Sequence, residues 1–270
     1  MTAVRRTTKS VREKSPAILR AAIDTLNQPA RRSAENSARP FITVSRQAGA
    51  GAVAFSHRLA ERLNREGSGD WHAWDHELVE KVSSEHGIAR AVLEMIPYQS
   101  HTWFNDLVHS FSESQAGAYC DESFAYKRVA LTIGALASAG HAIIVGRGGR
   151  FLTGSIPGGL HLRLIAPLEH RIRFIIDKFQ LSVEEASDRI DEMDRNREMF
   201  YRRHWPGKTL EPQIFSMTLN ASELSVDELV ECVLPVIRLR ESVSQSASAQ
   251  VICIPPQGDS LKPDREFSQH

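Results

Sequence analysis

From about residue 40 to residue 240, short runs of β-branched and aromatic residues alternate with longer stretches whose apolar positions recur every three or four residues. The short runs, at 41–45, 72–74, 142–146, 160–165 and 215–219, predict five strands. The run AIIVG at 142–146 is apolar throughout, as expected of a strand buried on both faces of a parallel sheet. The longer stretches predict helices from about 55 to 65, from 168 to 179, from 183 to about 204, and from 226 to 240. A largely helical segment is expected over 77–139, broken at Pro97 and around 114–121. Strands separated by helices of this length make crossover units. The expectation is therefore an α/β fold with a doubly wound parallel sheet, whose ligand sits beyond the C-terminal ends of the strands.

The ends have a different composition. In residues 1–39, Arg5, Arg6, Lys9, Arg12, Lys14, Arg20, Arg31, Arg32 and Arg39 far outnumber the acids, which reads as a basic tail. Ser15-Pro16 can cap and start a short helix carrying Ile18, Leu19, Ala22, Ile23 and Leu26 on one stripe. Such a helix would dock on a protein partner or an anionic surface, or pack loosely on its own domain. Residues 241–270 are rich in Ser, Gln and Pro, with one brief apolar run at 251–254, and read as a mobile tail. The domain proper is expected over 40–240.

Composition narrows the function classes. Lysine plus arginine and aspartate plus glutamate both number 33 in 270 residues, so no global field favours nucleic acid or a membrane surface, and any basic site must be local. Three cysteines, Cys120, Cys232 and Cys253, lie too far apart in sequence for a metal knuckle and suggest reduced intracellular thiols. No apolar run approaches the roughly 18 residues a membrane helix needs. A cytoplasmic address is expected, with the basic, Ser/Thr-rich start leaving an organellar transit peptide open.

Candidate chemistry begins at the exit of the first strand, which reads Ser45-Arg46-Gln47-Ala48-Gly49-Ala50-Gly51-Ala52-Val53-Ala54-Phe55. Glycines at 49 and 51 let backbone N–H groups turn towards a phosphate, and the following helix adds the positive end of its dipole. Arg46, Gly49, Ala50 and Gly51 are thus the candidate phosphate-binding residues of a nucleotide cofactor; the plain alternative is a tight strand-to-helix turn. His72 and His76 are four apart, yet no third ligand is placed to complete a zinc site, so no metal centre is expected.

These blocks, in their order, resemble the cytidylate kinase-like family. The first strand, loop and helix with His57, Leu59, Ala60, Arg62 and Leu63 match its opening; Trp74-Asp75-His76-Glu77-Leu78 resembles its FYDKEL segment. Ile144-Val145-Gly146-Arg147-Gly148, Leu164-Ile165-Ala166-Pro167-Leu168-Glu169-His170-Arg171 and Leu219-Asn220-Ala221-Ser222-Glu223-Leu224-Ser225 follow in family order, and Asp194-Arg195-Asn196-Arg197 resembles an arginine-rich lid. The resemblance implies a P-loop kinase-like sheet of about five strands with a helical substrate-side insertion and a helical lid. It also implies ATP and Mg2+ as cofactors and a nucleoside monophosphate as substrate. On the matching positions, Arg147, Asp194 and Arg197 would serve phosphoryl transfer, Asp194 by orienting Arg197 or a neighbour. Asp75 and Arg147 would contact substrate, although Asp75 also suits a helix N-cap, and the arginines suit ordinary salt bridges.

Against a standard phosphate loop the sequence is short of functional groups. Ala52 stands at the lysine position, and Val53-Ala54 where a Ser or Thr should hold Mg2+. Gly148 replaces the aspartate of true cytidylate kinases. Two functions stay open on the sequence: a nucleoside monophosphate kinase, or a kinase-fold module that binds a nucleotide or another small phosphorylated ligand with little turnover.

Overall fold

A computed structural model describes residues 39–75, 77, 79 and 121–251. The expected N-terminal helix, the break at Pro97, all but the last residue of the break around 114–121, His76, Cys120 and Cys253 lie outside the described residues. The elements described are β1 (Phe41–Arg46), α1 (Ala52–Arg65), β2 (His72–Trp74), α2 (Asp121–Ala139), β3 (Ala142–Val145), α3 (Gly149–Thr153), β4 (Gly159–Ile165), α4 (Leu168–Phe179), α5 (Val183–His204), β5 (Met217–Asn220) and α6 (Val226–Val251). A 3-10 turn at Pro212–Ile214 leads into β5.

The five strands form one parallel sheet in the order β2-β3-β1-β4-β5. The central strand β1 is bonded on both sides, Val44 pairing with Val145 and with Leu162. Side chains alternate across it: Ile42 and Val44 join Phe55, Leu59 and Leu63 of α1 and Leu229, Val233 and Ile237 of α6. Phe41 enters the opposite layer with Tyr126, Val129 and Ile133 of α2 and Leu152 of α3. Both faces are covered, which is why these strands read as continuous apolar runs. Phe55, Leu59 and Leu63, each fully buried, recur at the four-residue spacing of one helix face, and each contributes about 1.5–3 kcal/mol by leaving water.

Local signals set several boundaries. The Ser182 hydroxyl accepts from the Glu185 amide, while the Glu185 carboxylate accepts from the Ser182 amide, a capping box that starts α5 where the sequence places it. Ser225 and Glu228 make the same reciprocal pair ahead of α6. β5 begins at Met217, two residues later than expected, and two helix ends differ as well. Helix α1 begins at Ala52, three residues before Phe55, because the left-handed turn at Gly51 lets the helix start directly from the loop. Helix α6 continues through Pro235 to Val251 instead of ending at Arg240. Pro235 is exposed, so its ring meets solvent, and the Ala/Ser/Gln run beyond Arg240 contains nothing that stops a helix. Among the described residues no helix is long and apolar enough to cross a membrane.

Candidate phosphate site at the strand exits

The loop from β1 to α1 is shaped by two left-handed glycines, Gly49 at φ 78° and Gly51 at φ 72°. A side chain at Gly49 would place its Cβ 2.7 Å from the carbonyl oxygen of Arg171, so the loop lies directly on the backbone of α4. The start of the loop is tied to the sheet: the Gln47 amide donates to the Leu164 carbonyl, and Gln47 Oε1 accepts from the Ala166 amide. Gly51 caps α1 with no side-chain partner, and no acidic residue occupies the first turn. Among the described residues the amides of Gly51, Ala52, Val53 and Ala54 donate to no backbone carbonyl. An open helix start of this kind favours an anion through its N–H groups and its dipole.

Asp194 of α5 braces the loop from outside. Its Oδ1 accepts from the Ala48 amide at 2.9 Å and from Arg197 Nη1 at 2.8 Å, and its Oδ2 accepts from Arg171 Nη1 at 2.7 Å. One carboxylate thus holds the loop, α4 and α5 together. The expected orienting contact between Asp194 and Arg197 is present as geometry. The sequence does not single out Arg171: it follows the Ala-Pro signal that opens α4, and nothing local ties it to Asp194, 23 positions on.

A second turn faces the loop at the exit of β3. Gly146, Arg147 and Gly148 have φ of 82°, 51° and 74°, three successive left-handed residues. For arginine that conformation costs about 1–2 kcal/mol, and the surroundings hold it. Tyr126, its phenol pushed well above the usual value by burial, donates from its hydroxyl to the Arg147 carbonyl at 3.1 Å. The indole of Trp205 covers Gly148, where a Cβ would come within 1.9 Å of the ring. Trp205 also stacks on Phe151, with centroids 5.0 Å apart, and so fastens the end of α5 over this turn.

Arg46 crosses between the two turns. Its guanidinium rests on Gly146, where a Cβ would come within 1.7 Å of Nη1. Burial pushes Arg46 down to about 10; repulsion from Arg197 and Arg147 adds to this, while Tyr201 and Asp75 act in the opposite direction. Arg46, Arg147, Arg197 and Asp75, named separately from the sequence, therefore share one electrostatic neighbourhood. The carbonyl of Asp75 accepts from the Val79 amide, so its backbone begins a helical turn. Gly49, Ala50 and Gly51 lie at the loop itself. Beside Gly51 a small, mostly apolar crevice lies between Phe55, His170, Phe174, Ala221 and Leu224.

Among the described residues the loop presents no standard Mg2+ donor set. No hydroxyl stands at 53 or 54, no carboxylate follows Arg147, and the oxygens of Asp194 are engaged by Ala48, Arg171 and Arg197. Among the described residues no group of three or more His, Cys, Asp or Glu side chains could hold a metal ion. What the arrangement offers a ligand is backbone N–H groups and guanidinium charge.

A five-stranded parallel sheet with a glycine loop feeding the helix after its central strand defines a P-loop kinase-like α/β protein. The model of the cytidylate kinase-like family matches residues 41–223, and the chain belongs to that family. Among solved structures, an uncharacterized protein from Eubacterium ventriosum ATCC 27560 superposes with a TM-score of 0.55 at 14% identity, covering 74% of this chain and 98% of that one. Shikimate kinases from Bacteroides thetaiotaomicron and from Acinetobacter baumannii, the latter in complex with shikimate, each give a TM-score of 0.41, at 14% and 15% identity. Each covers 74% of this chain, which in turn spans 98% and 94% of theirs. No curated protein matches the sequence significantly.

Proposed function

We propose that the chain is a kinase-fold module that binds the phosphate end of a nucleotide or similar small phosphorylated ligand at the strand exits, with little or no phosphoryl transfer. The observation that carries this reading is the pairing of an uncapped helix start after Gly51 with a partly buried arginine cluster, while the Mg2+ ligand and the loop lysine are both missing. N–H groups and guanidinium forks suffice to bind an anion. They do not replace the metal and lysine that stabilise charge developing on a transferred phosphoryl group, a loss worth roughly 3 kcal/mol for one such donor. The kinase reading, with ATP and Mg2+ as cofactors and a nucleoside monophosphate such as cytidylate as acceptor, draws on the family and on the apolar crevice beside Gly51. Arg147 and Asp75 would then face the acceptor, and Arg197 the transferred group. The site residues belong to a domain proposed to span 40–240, at work in the cytoplasm.

The test is calorimetric titration of the full chain with nucleoside mono-, di- and triphosphates, with Mg2+ and with EDTA, followed by product analysis. The binding-module reading expects saturable binding that survives EDTA, and turnover far below the roughly 1–100 s⁻¹ of ordinary kinases. Mg2+-dependent phosphorylation of a monophosphate within that range would overturn it in favour of the kinase.

A further inference from the structure

Phosphate loops follow the pattern G-x-x-x-x-G-K-[ST], in which the lysine reaches the terminal phosphates. With Gly51 as the second glycine, the lysine position falls on Ala52, the hydroxyl on Val53, and the first glycine on Arg46. The cation has left the end of the loop, and another stands at its beginning. We propose that Arg46 takes the place of the loop lysine: its guanidinium, seated on Gly146, is the principal cation for a phosphoryl group held at the start of α1. This rests on the phosphate-binding reading above and names the residue that carries its charge.

Three observations support the assignment. Arg46 ends β1 in regular register with Leu164, so its position is set by the central strand and not by a flexible tip. Its guanidinium lies where a Cβ on Gly146 would be, so glycine at 146 makes the room that seats it beside Arg147 and Arg197. Finally, the Arg46 side chain makes no hydrogen bond or ion pair among the described residues, whereas Arg171 and Arg197 share Asp194 and Arg62 pairs with Glu231 on the surface. Burying a cation among like charges is unfavourable unless an anion compensates it. Tyr201 and Asp75 offset this less than burial, Arg197 and Arg147 oppose it. A dianionic phosphoryl group would supply the missing compensation, and Arg46 presents it with a planar fork suited to two oxygens at once.

The assignment makes an asymmetric prediction, because a residue kept for a ligand costs stability without one. Arg46→Met should raise the melting temperature of the free chain by about 2–4 °C and weaken its affinity for inorganic pyrophosphate at least tenfold. Arg46→Gly with Ala52→Lys, which rebuilds the standard pattern, should recover most of the affinity that Arg46→Gly alone loses. Pyrophosphate affinity is read by calorimetry on the full chain, with circular dichroism and thermal melts reporting the fold of each variant. Folded Arg46→Met and Arg46→Gly proteins that bind within twofold of the native chain would overturn the inference while leaving the phosphate-binding reading intact. Loss of affinity in Arg46→Gly that Ala52→Lys does not restore would also overturn it, by giving Arg46 a role no loop lysine can fill. A native chain that binds no pyrophosphate and no nucleotide would instead remove the reading on which it rests.

Discussion

The amide of Ala48 donates to Asp194 Oδ1 at 2.9 Å, joining the glycine loop after β1 to α5 across 146 positions of sequence. That bond satisfies the loop amide just before Gly49 from within the protein. The same carboxylate draws Arg171 and Arg197 to the loop. Asp194 therefore acts as a strut that fixes where the loop's open amides and Arg197 stand relative to one another.

Removing the strut should loosen both sides. Asp194→Ala leaves an amide and two guanidiniums without their shared acceptor, and should cost about 1–3 kcal/mol, since the side chain is 35% exposed and water takes up part of the loss. Asp194→Asn keeps an acceptor for Ala48 and should cost less. Urea unfolding gives the energies, and hydrogen exchange at Ala48 gives the local effect. Exchange at Ala48 as slow in Asp194→Ala as in the native chain would refute the strut.

The two loop glycines differ in what surrounds them. At Gly49 a Cβ meets backbone and Cβ atoms of Arg171 at 2.7–3.0 Å, whereas at Gly51 the nearest atom is Phe174 Cε2 at 3.7 Å. Both positions carry the left-handed strain, about 1 kcal/mol for an alanine. Gly49→Ala must also push α4 away, so it should cost on the order of 2–3 kcal/mol, clearly more than Gly51→Ala. Denaturant midpoints of the two variants decide the matter, and equal losses would mean that the loop does not rest on α4 as described.

How far the sequence could be read depended on the range of the interactions involved. Residues 142–145 announce a strand because β3 is apolar on both faces, and Ser182 with Glu185 announces α5 through a contact three residues long. The strand order β2-β3-β1-β4-β5 has no such signature, since each pairing spans tens of residues. The same holds at the site. The glycine loop and the absence of lysine are local and legible. The meeting of Ala48, Arg171 and Asp194, and the seating of Arg46 on Gly146, exist only once β1, β3, α4 and α5 are packed. The end of α6 is not legible in the sequence because a Ser/Gln-rich composition resembles a tail, although Ala, Ser and Gln in succession also continue a helix already nucleated.

Arg147 and Arg197 approach one neighbourhood from a strained turn and from α5, so each should contribute to anion binding on its own. Replacing either with alanine should weaken nucleotide or pyrophosphate affinity by about 1.5–3 kcal/mol, the range for hydrogen bonds to charged groups. Calorimetric titration of the two folded variants provides the check. Unchanged affinity in both would make them structural ion-pair residues.

The last expectation concerns acid stability and lies away from the site, at His161 on β4. The ring is 7% exposed. Its Nδ1 shares a hydrogen bond of 2.8 Å with Thr43 Oγ1 on the neighbouring strand, and its edge packs against Phe41 at 6.0 Å between centroids. Burial, followed by repulsion from Arg150 and Arg240, pushes the imidazole from its ordinary 6.5 down to about 4. Between those values the unfolded chain binds a proton that the folded chain refuses. Stability from this group is therefore complete above pH 6.5 and lost as pH falls towards 4. A shift of this size corresponds to about 3 kcal/mol at most, and to roughly 2–3 kcal/mol between pH 7.5 and pH 4.5. His161→Gln cannot titrate, while its amide can still meet Thr43, so it should lower stability at pH 7.5 yet show a flatter decline into acid. Urea unfolding of both proteins at the two pH values measures the difference of slopes. If the native chain and His161→Gln lose the same stability on going to pH 4.5, the acid sensitivity belongs to the carboxylates and not to this buried histidine.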